Sequence, residues 1–201
     1  MGLDLLVESC AKPGHEGEWR RLLERTFDDE ELSETEIERF QEISIPGYER
    51  IDAPRVGHDK AADEWMIKDS GAETAEERAS VLEDHEGFYV VALVKCDGVP
   101  KYSNGGAYDG VDETSFRGAF LSDCKDVIAE DVLNQAWEHK FPEQAVEYGK
   151  ALLAAADAAE ERPVKPKNKD TPLADQLDIV RACGRWHIFW GERGHPIRAW
   201  F

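Results

Sequence analysis

The segment 185–190, Arg-Trp-His-Ile-Phe-Trp, carries the residue types best suited to binding chemistry. Its alternation predicts a β-strand in which Arg185, His187 and Phe189 face one side. That side would form a pocket wall, with aromatic surface for stacking and with Arg185 and His187 as polar anchors. The structural alternative is a fully packed strand, with the tryptophan face in the core and the other face against a helix.

Two more side chains would join this wall if their strands are its neighbours. Arg117 lies on a strand predicted over 115–121, and Tyr102 precedes a glycine-rich loop at 104–110. The predicted ligand-binding set is therefore Tyr102, Arg117, Arg185, His187 and Phe189.

A looser group at 58–63 has the chemistry of a metal site. His58, Asp59 and Asp63 combine an imidazole with carboxylates, which suits zinc, iron or manganese. Asp59 and Asp63 would share one face of a helix, although Asp59 would also cap that helix without any metal. We predict no metal and no cofactor, and keep these three residues as the alternative.

The familiar catalytic and phosphate-binding motifs are absent from the sequence. The loop at 105–110 lacks the lysine of a phosphate-binding loop, and there is no G-x-S-x-G, H-E-x-x-H or dinucleotide fingerprint. The four cysteines, at 10, 96, 124 and 183, form no C-x-x-C pair, so we expect buried thiols in a reducing compartment.

Charge is the strongest feature of the composition, with a formal net charge of −19 over 201 residues. The acids concentrate in 28–42 and 69–86, whereas 162–169 is basic and predicts a linker over 162–170. Such acidity argues against binding to nucleic acid or to an anionic membrane. The acidic stretches are either solvated helix faces or a surface for a basic protein partner. Their composition resembles that of small acidic bacterial proteins that neutralise toxins or mimic DNA, but no motif identifies a family.

Hydrophobic periodicity predicts an α+β fold in one domain, 1–201. We expect an antiparallel or mixed sheet of about five to six strands with helices packed on it. The strand signals lie at 3–8, 88–94, 99–103, 115–121 and in a C-terminal β-hairpin over 185–201. Helices are expected near 16–27, 33–43, 59–68, 74–84, 124–139, 142–160 and 171–184, two of them opened by the capping boxes Ser33–Glu36 and Thr74–Glu77.

These features favour a non-catalytic binding protein of the cytoplasm that engages a basic protein or holds a small-molecule ligand. The alternative is a hydrolase or lyase that uses histidine and carboxylate as acid and base, with His187 and Arg185 or with the 58–63 group. The N-terminus has no signal-peptide pattern, and no apolar run approaches a membrane span. The partners considered from the sequence also include a second copy of the chain, in a homodimer.

Overall fold

Helices make up most of the chain that the structure covers. It is a computed structural model and describes residues 2–94, 114–162 and 168–201. The α-helices are α1 (Glu16–Phe27), α2 (Glu34–Glu42), α3 (Gly47–Arg50), α4 (Lys60–Ser70), α5 (Ala75–Asp84), α6 (Glu130–Asn134), α7 (Pro142–Glu160) and α8 (Leu173–Glu192). Short 3-10 helices cover Val91–Leu93, Gly118–Asp123 and Gln135–Trp137. No helix among the described residues is long and apolar enough to cross a membrane.

The strands are short and form two small antiparallel sheets. They are β1 (Asp4–Val7), β2 (Cys10–Ala11), β3 (Ser44–Ile45), β4 (Ser115–Phe116) and β5 (Ile197–Trp200). One sheet has the order β4-β1-β5, and the other pairs β2 with β3. The mixture of helix and strand is confirmed. The single sheet of about five to six strands is wrong for the described residues, since the larger of the two sheets has three strands.

The described residues fall into two compact units. The larger contains 2–47, 114–162 and 168–201, and the smaller contains 48–94. Each unit has buried hydrophobic residues of its own: Trp19, Leu22, Leu23 and Ile43 form a cluster in the larger, and Val56, Ala62 and Val90 form one in the smaller. The single domain expected over 1–201 remains a prediction.

The prediction of a C-terminal β-hairpin is wrong, because 185–190 lies inside α8. Trp186 and Trp190 are fully buried four residues apart, whereas Ile188 between them is only half-buried. This is the spacing of a helix face. The six residues alternate as in a strand when they are considered alone. Together with the residues from Leu173 onward, they continue a helical pattern. The strand β5 pairs instead with β1, with Leu6 opposite Arg198 and Val7 opposite Ile197.

The helix predicted over 171–184 continues past Gly184, which lies within α8 where that helix touches α7. A Cβ atom at Gly184 would lie 2.9 Å from the carbonyl oxygen of Gly149, and one at Gly149 would lie 2.6 Å from the carbonyl oxygen of Gly184. Real Cβ atoms are not found this close to backbone oxygens. The two glycines therefore let the helix backbones approach each other.

Two further strand predictions also fail. Within 88–94 the structure has a bridge between Tyr89 and Arg55 and then a 3-10 helix, and Phe88 is 60% exposed rather than buried in a central strand. The strand predicted over 115–121 stops at Phe116, and a 3-10 helix follows. The strand at 99–103, Tyr102, Cys96, the glycine-rich loop and 163–167 of the linker lie outside the described residues.

The outer edge of β5 is closed by the segment before α7. The backbone N–H groups of Ile197 and Lys140 each donate to the other residue's carbonyl oxygen at 2.8 Å. The next outward N–H of the strand, that of Ala199, donates to Nδ1 of His139 at 3.2 Å. Lys140 and His139 thus take the hydrogen-bonding positions that a further strand would occupy.

Candidate functional site: an acidic surface and an exposed aromatic cluster

The predicted pocket wall does not form as a shared face. In a helix, residues two apart point about 200° apart around the axis. Arg185 is accordingly exposed, whereas His187 is fully buried. Phe189 is half-buried, and the guanidinium of Arg193 lies 3.5 Å above its ring centre.

Arg117 has a different partner. Its Nη1 donates to both carboxylate oxygens of Asp4 at 2.8 Å across the larger sheet. Within the described residues, this ion pair directs Arg117 to Asp4 and not to Arg185, His187 or Phe189. The proposed ligand-binding set, including Tyr102, remains a prediction without support from this geometry.

His187 instead belongs to a buried polar cluster between α7 and α8. Its Nδ1 lies 2.9 Å from the carbonyl oxygen of Cys183, and its ring packs edge-on against Tyr148 at 5.0 Å. Its Nε2 and the Tyr148 hydroxyl are buried and have no hydrogen-bond partner within the described residues. Burial lowers the pKa of His187 to about 3 and raises the pKa values of Tyr148 and Cys183. All three side chains are therefore neutral near pH 7.

Lys140 borders this cluster and follows the 3-10 helix Gln135–Trp137 by three residues. Its ammonium donates to the carbonyl oxygens of Gln135 and Glu138, and lies 4.4 Å from the ring centre of Tyr148. Burial lowers the pKa of Lys140 to about 8. These contacts give the buried lysine a structural role as a helix C-cap.

The group at 58–63 has structural contacts. Asp59 accepts a hydrogen bond from the backbone N–H of Arg55 at 2.8 Å, and Asp63 accepts one from Gly57 at 2.7 Å. His58 is exposed. No set of three His, Cys, Asp or Glu side chains suited to a metal ion occurs in the described part of the chain.

The other histidines also contact the backbone or a neighbouring cation. Nδ1 of His85 lies 2.8 Å from the carbonyl oxygen of Val81, and that of His195 lies 2.7 Å from the carbonyl oxygen of Glu8. Nδ1 of His15 lies 3.4 Å from Arg39. These contacts are made to backbone oxygens and to a guanidinium, whereas an acid–base pair would use a contact to a carboxylate.

An open groove of about 530 Å³ lies at the end of α4 in the smaller unit. Its lining residues are Glu64, Ile67, Lys68, Gly71, Ala72, Glu73 and Arg78. None of the residues predicted from the sequence to bind a ligand or metal lines it.

Ion pairs divide the acids of 28–42 into two groups. Arg25 binds Glu30 and Glu36, and Arg39 binds Glu18 and Glu42. The remaining five acids of the stretch are exposed and have no ion-pair partner within the described residues: Asp28, Asp29, Glu31, Glu34 and Glu38. We call these five residues, together with Ile37, the acidic surface.

The outward side of α2 gives the acidic surface an apolar centre. Glu34, Ile37, Glu38 and Gln41 follow helical spacing and are all exposed. Ile37 is 44% exposed. The inward side carries Arg39 and the half-buried Phe40, whose ring stacks on Trp19.

An exposed aromatic cluster lies near the acidic surface on the same unit. Trp137, Trp200 and Phe201 are 37%, 65% and 61% exposed, and the rings of Trp137 and Phe201 meet edge-on at 5.1 Å. The sequence did not indicate this cluster, because Trp137 lies in the predicted helix at 124–139 and the other two in the predicted hairpin over 185–201. Since Ile197 and Ala199 are buried, the alternation of β5 accounts for the outward position of Trp200 only.

The two surfaces are joined through His139. Its ring stacks on Phe27 with 4.5 Å between centroids, and Phe27 directly precedes the acidic pair Asp28 and Asp29. Trp137 lies two residues before His139 on the other side.

Comparisons with models of protein families, with curated proteins and with solved structures find no match to this chain.

Proposed function

We propose that this is a non-catalytic binding protein that engages a basic protein partner through the acidic surface. One observation carries the proposal: Arg25 and Arg39 pair with other acids, which leaves five exposed carboxylates of 28–42 without an ion-pair partner among the described residues. Two of them, Glu34 and Glu38, lie beside the exposed Ile37 on the outward side of α2.

The physical basis of such binding is both electrostatic and apolar. Exposed charges act over about 8 Å at physiological salt, so clustered carboxylates attract a basic surface and fix its orientation. Burial of an Ile side chain contributes roughly 1.5–3 kcal/mol, which gives the contact a short-range anchor. The five carboxylates would favour lysine- or arginine-rich surfaces and repel acidic ones.

The test measures binding of a fluorescent lysine octapeptide by anisotropy at several salt concentrations. The acidic-surface variant carries Asp28→Asn, Asp29→Asn, Glu31→Gln, Glu34→Gln and Glu38→Gln. We expect it to bind at least about tenfold more weakly than the parent at low salt, because it lacks the uncompensated carboxylates. Addition of salt should remove most of the difference.

A matched control changes the same number of exposed acids on the smaller unit: Asp69→Asn, Glu73→Gln, Glu76→Gln, Glu83→Gln and Asp84→Asn. Its net charge equals that of the first variant. If the control loses as much affinity as the acidic-surface variant, binding follows overall charge and the proposal is wrong. An Ile37→Ser variant should weaken binding in a way that salt does not change.

A further inference from the structure

We propose that the aromatic cluster receives arginine side chains of the same basic partner, so that the protein prefers arginine-rich to lysine-rich segments. The inference rests on the proposed function, since it adds a second contact for the partner that the acidic surface attracts. The occupant is an arginine-rich protein segment whose guanidinium groups stack on Trp137 and Phe201.

The first support is the exposure of the rings. Trp137 and Phe201 contact each other at an interplanar angle of 67°, so their faces point in different directions, and each side chain keeps more than a third of its surface exposed. Guanidinium groups bind such faces better than ammonium groups do, since they stack as planes and are less strongly hydrated.

The second support is the charge around the cluster. Two arginines of the larger sheet are already paired: Arg117 with Asp4, and Arg198 with Glu8. Glu138, next to Trp137, is exposed and has no ion-pair partner within the described chain. An incoming cation therefore meets aromatic faces and an exposed carboxylate, while the nearby ammonium of Lys140 is buried and donates to backbone carbonyl oxygens.

The third support is that the same unit already uses this contact internally. The guanidinium of Arg193 lies 3.5 Å from the ring centre of Phe189, and that of Arg20 lies 3.9 Å from that of Phe141. Trp137 and Phe201 have no such cation among the described residues. They present the same kind of surface without an internal partner.

The fourth support is continuity with the acidic surface. Phe27 directly precedes Asp28 in the sequence and stacks on His139, which follows Trp137 by two residues and interacts electrostatically with Asp29. One segment could therefore place cationic side chains on the carboxylates and guanidinium groups on the rings.

The experiment compares fluorescent arginine and lysine octapeptides, which carry equal charge, by anisotropy with the full chain. We expect the arginine peptide to bind about tenfold more tightly, because two exposed cation–π contacts are added. The double variant Trp137→Leu/Phe201→Leu keeps apolar side chains but lacks the two ring faces to which the arginine side chains are assigned. It should bind both peptides equally, with the affinity for the lysine peptide unchanged.

Phe88→Leu is the matched control, because Phe88 is an exposed aromatic residue of the smaller unit. It should keep the full arginine preference. Equal binding of the two peptides to the parent, or an arginine preference that survives in the double variant, would overturn the inference and leave the acidic-surface proposal intact. Failure of both peptides to bind would overturn the proposed function itself.

Discussion

Nδ1 of His139 accepts a hydrogen bond from the backbone N–H of Ala199 at 3.2 Å. An imidazole nitrogen can accept only when it carries no proton, so the neutral ring must hold its proton on Nε2. Burial, with a contribution from Arg198, lowers the pKa of His139 and favours this neutral form.

We therefore predict that His139 and His187 are opposite tautomers. Nδ1 of His187 lies 2.9 Å from a carbonyl oxygen, which can only accept, so His187 must carry its proton on Nδ1. Long-range ¹H–¹⁵N correlation spectra near pH 7 should show an unprotonated Nδ1 for His139 and an unprotonated Nε2 for His187. The same tautomer at both rings would contradict the two hydrogen bonds.

Stability should fall with acid partly because of His187. Its pKa is lowered from 6.5 to about 3, so between these values the unfolded chain binds a proton that the folded chain excludes. The contribution of His187 to the free energy of unfolding should be constant above pH 6.5. It should decrease below that pH, by on the order of 4 kcal/mol when pH 3 is reached.

The measurement is urea unfolding of the parent and of His187→Gln between pH 7.5 and 4. Glutamine does not titrate, so the variant should lose less stability than the parent over this range. Carboxylates titrate in both proteins, so the quantity of interest is the difference between the two slopes. If stability falls with pH at the same slope in both proteins, the folded protein binds a proton at His187 as readily as the unfolded chain does, and the prediction is wrong.

Gly184→Ala should destabilise the protein although alanine is the better helix former. Its Cβ would meet the Gly149 carbonyl at 2.9 Å, which neither helix can relieve without moving apart. We expect a loss of about 1–3 kcal/mol, typical of overpacking.

Gly17→Ala is the control for Gly184→Ala. Gly17 also lies in a helix, but a Cβ there meets nothing within 4 Å. This variant should be stabilised by about 0.5–1 kcal/mol through helix propensity alone. Thermal and urea unfolding of both variants should thus give changes of opposite sign, and a stabilised Gly184→Ala would contradict the close helix contact.

Ser33→Ala should loosen the helix that carries the acidic surface. The Ser33 hydroxyl accepts from the backbone N–H of Glu36, and the Glu36 carboxylate accepts from the backbone N–H of Ser33. Loss of the hydroxyl should cost about 1 kcal/mol, whereas Ser33→Thr should cost little. Hydrogen exchange of the α2 amides should quicken in the alanine variant only.

The parts of the fold that could be predicted are those encoded by local chemistry. Both capping boxes are confirmed, at Ser33 and at Thr74, because a cap depends on residues three positions apart. The segment at 185–190 could not be assigned in the same way. Six residues of this segment alternate as in a strand, whereas the twenty residues of α8 fit a helix. The contact of Gly184 with α7 decides between the two structures.

The candidate site was predictable only in its charge. The excess of acids at 28–42 is visible in the sequence, but which carboxylates Arg25 and Arg39 neutralise depends on how α1 and α2 pack. The exposure of Trp137 and Phe201 likewise depends on the end of β5 and on the segment that closes its edge.

That closed edge has a consequence for colloidal behaviour. An open strand edge is a template on which other chains add and aggregate. An open strand that ends in Trp200 and Phe201 would be especially prone to aggregation, because these exposed residues are hydrophobic. Here the amide hydrogens of Ile197 and Ala199 are already taken by Lys140 and His139. The rings can therefore stay in water, because the backbone beside them offers a neighbouring chain no donors at these two positions.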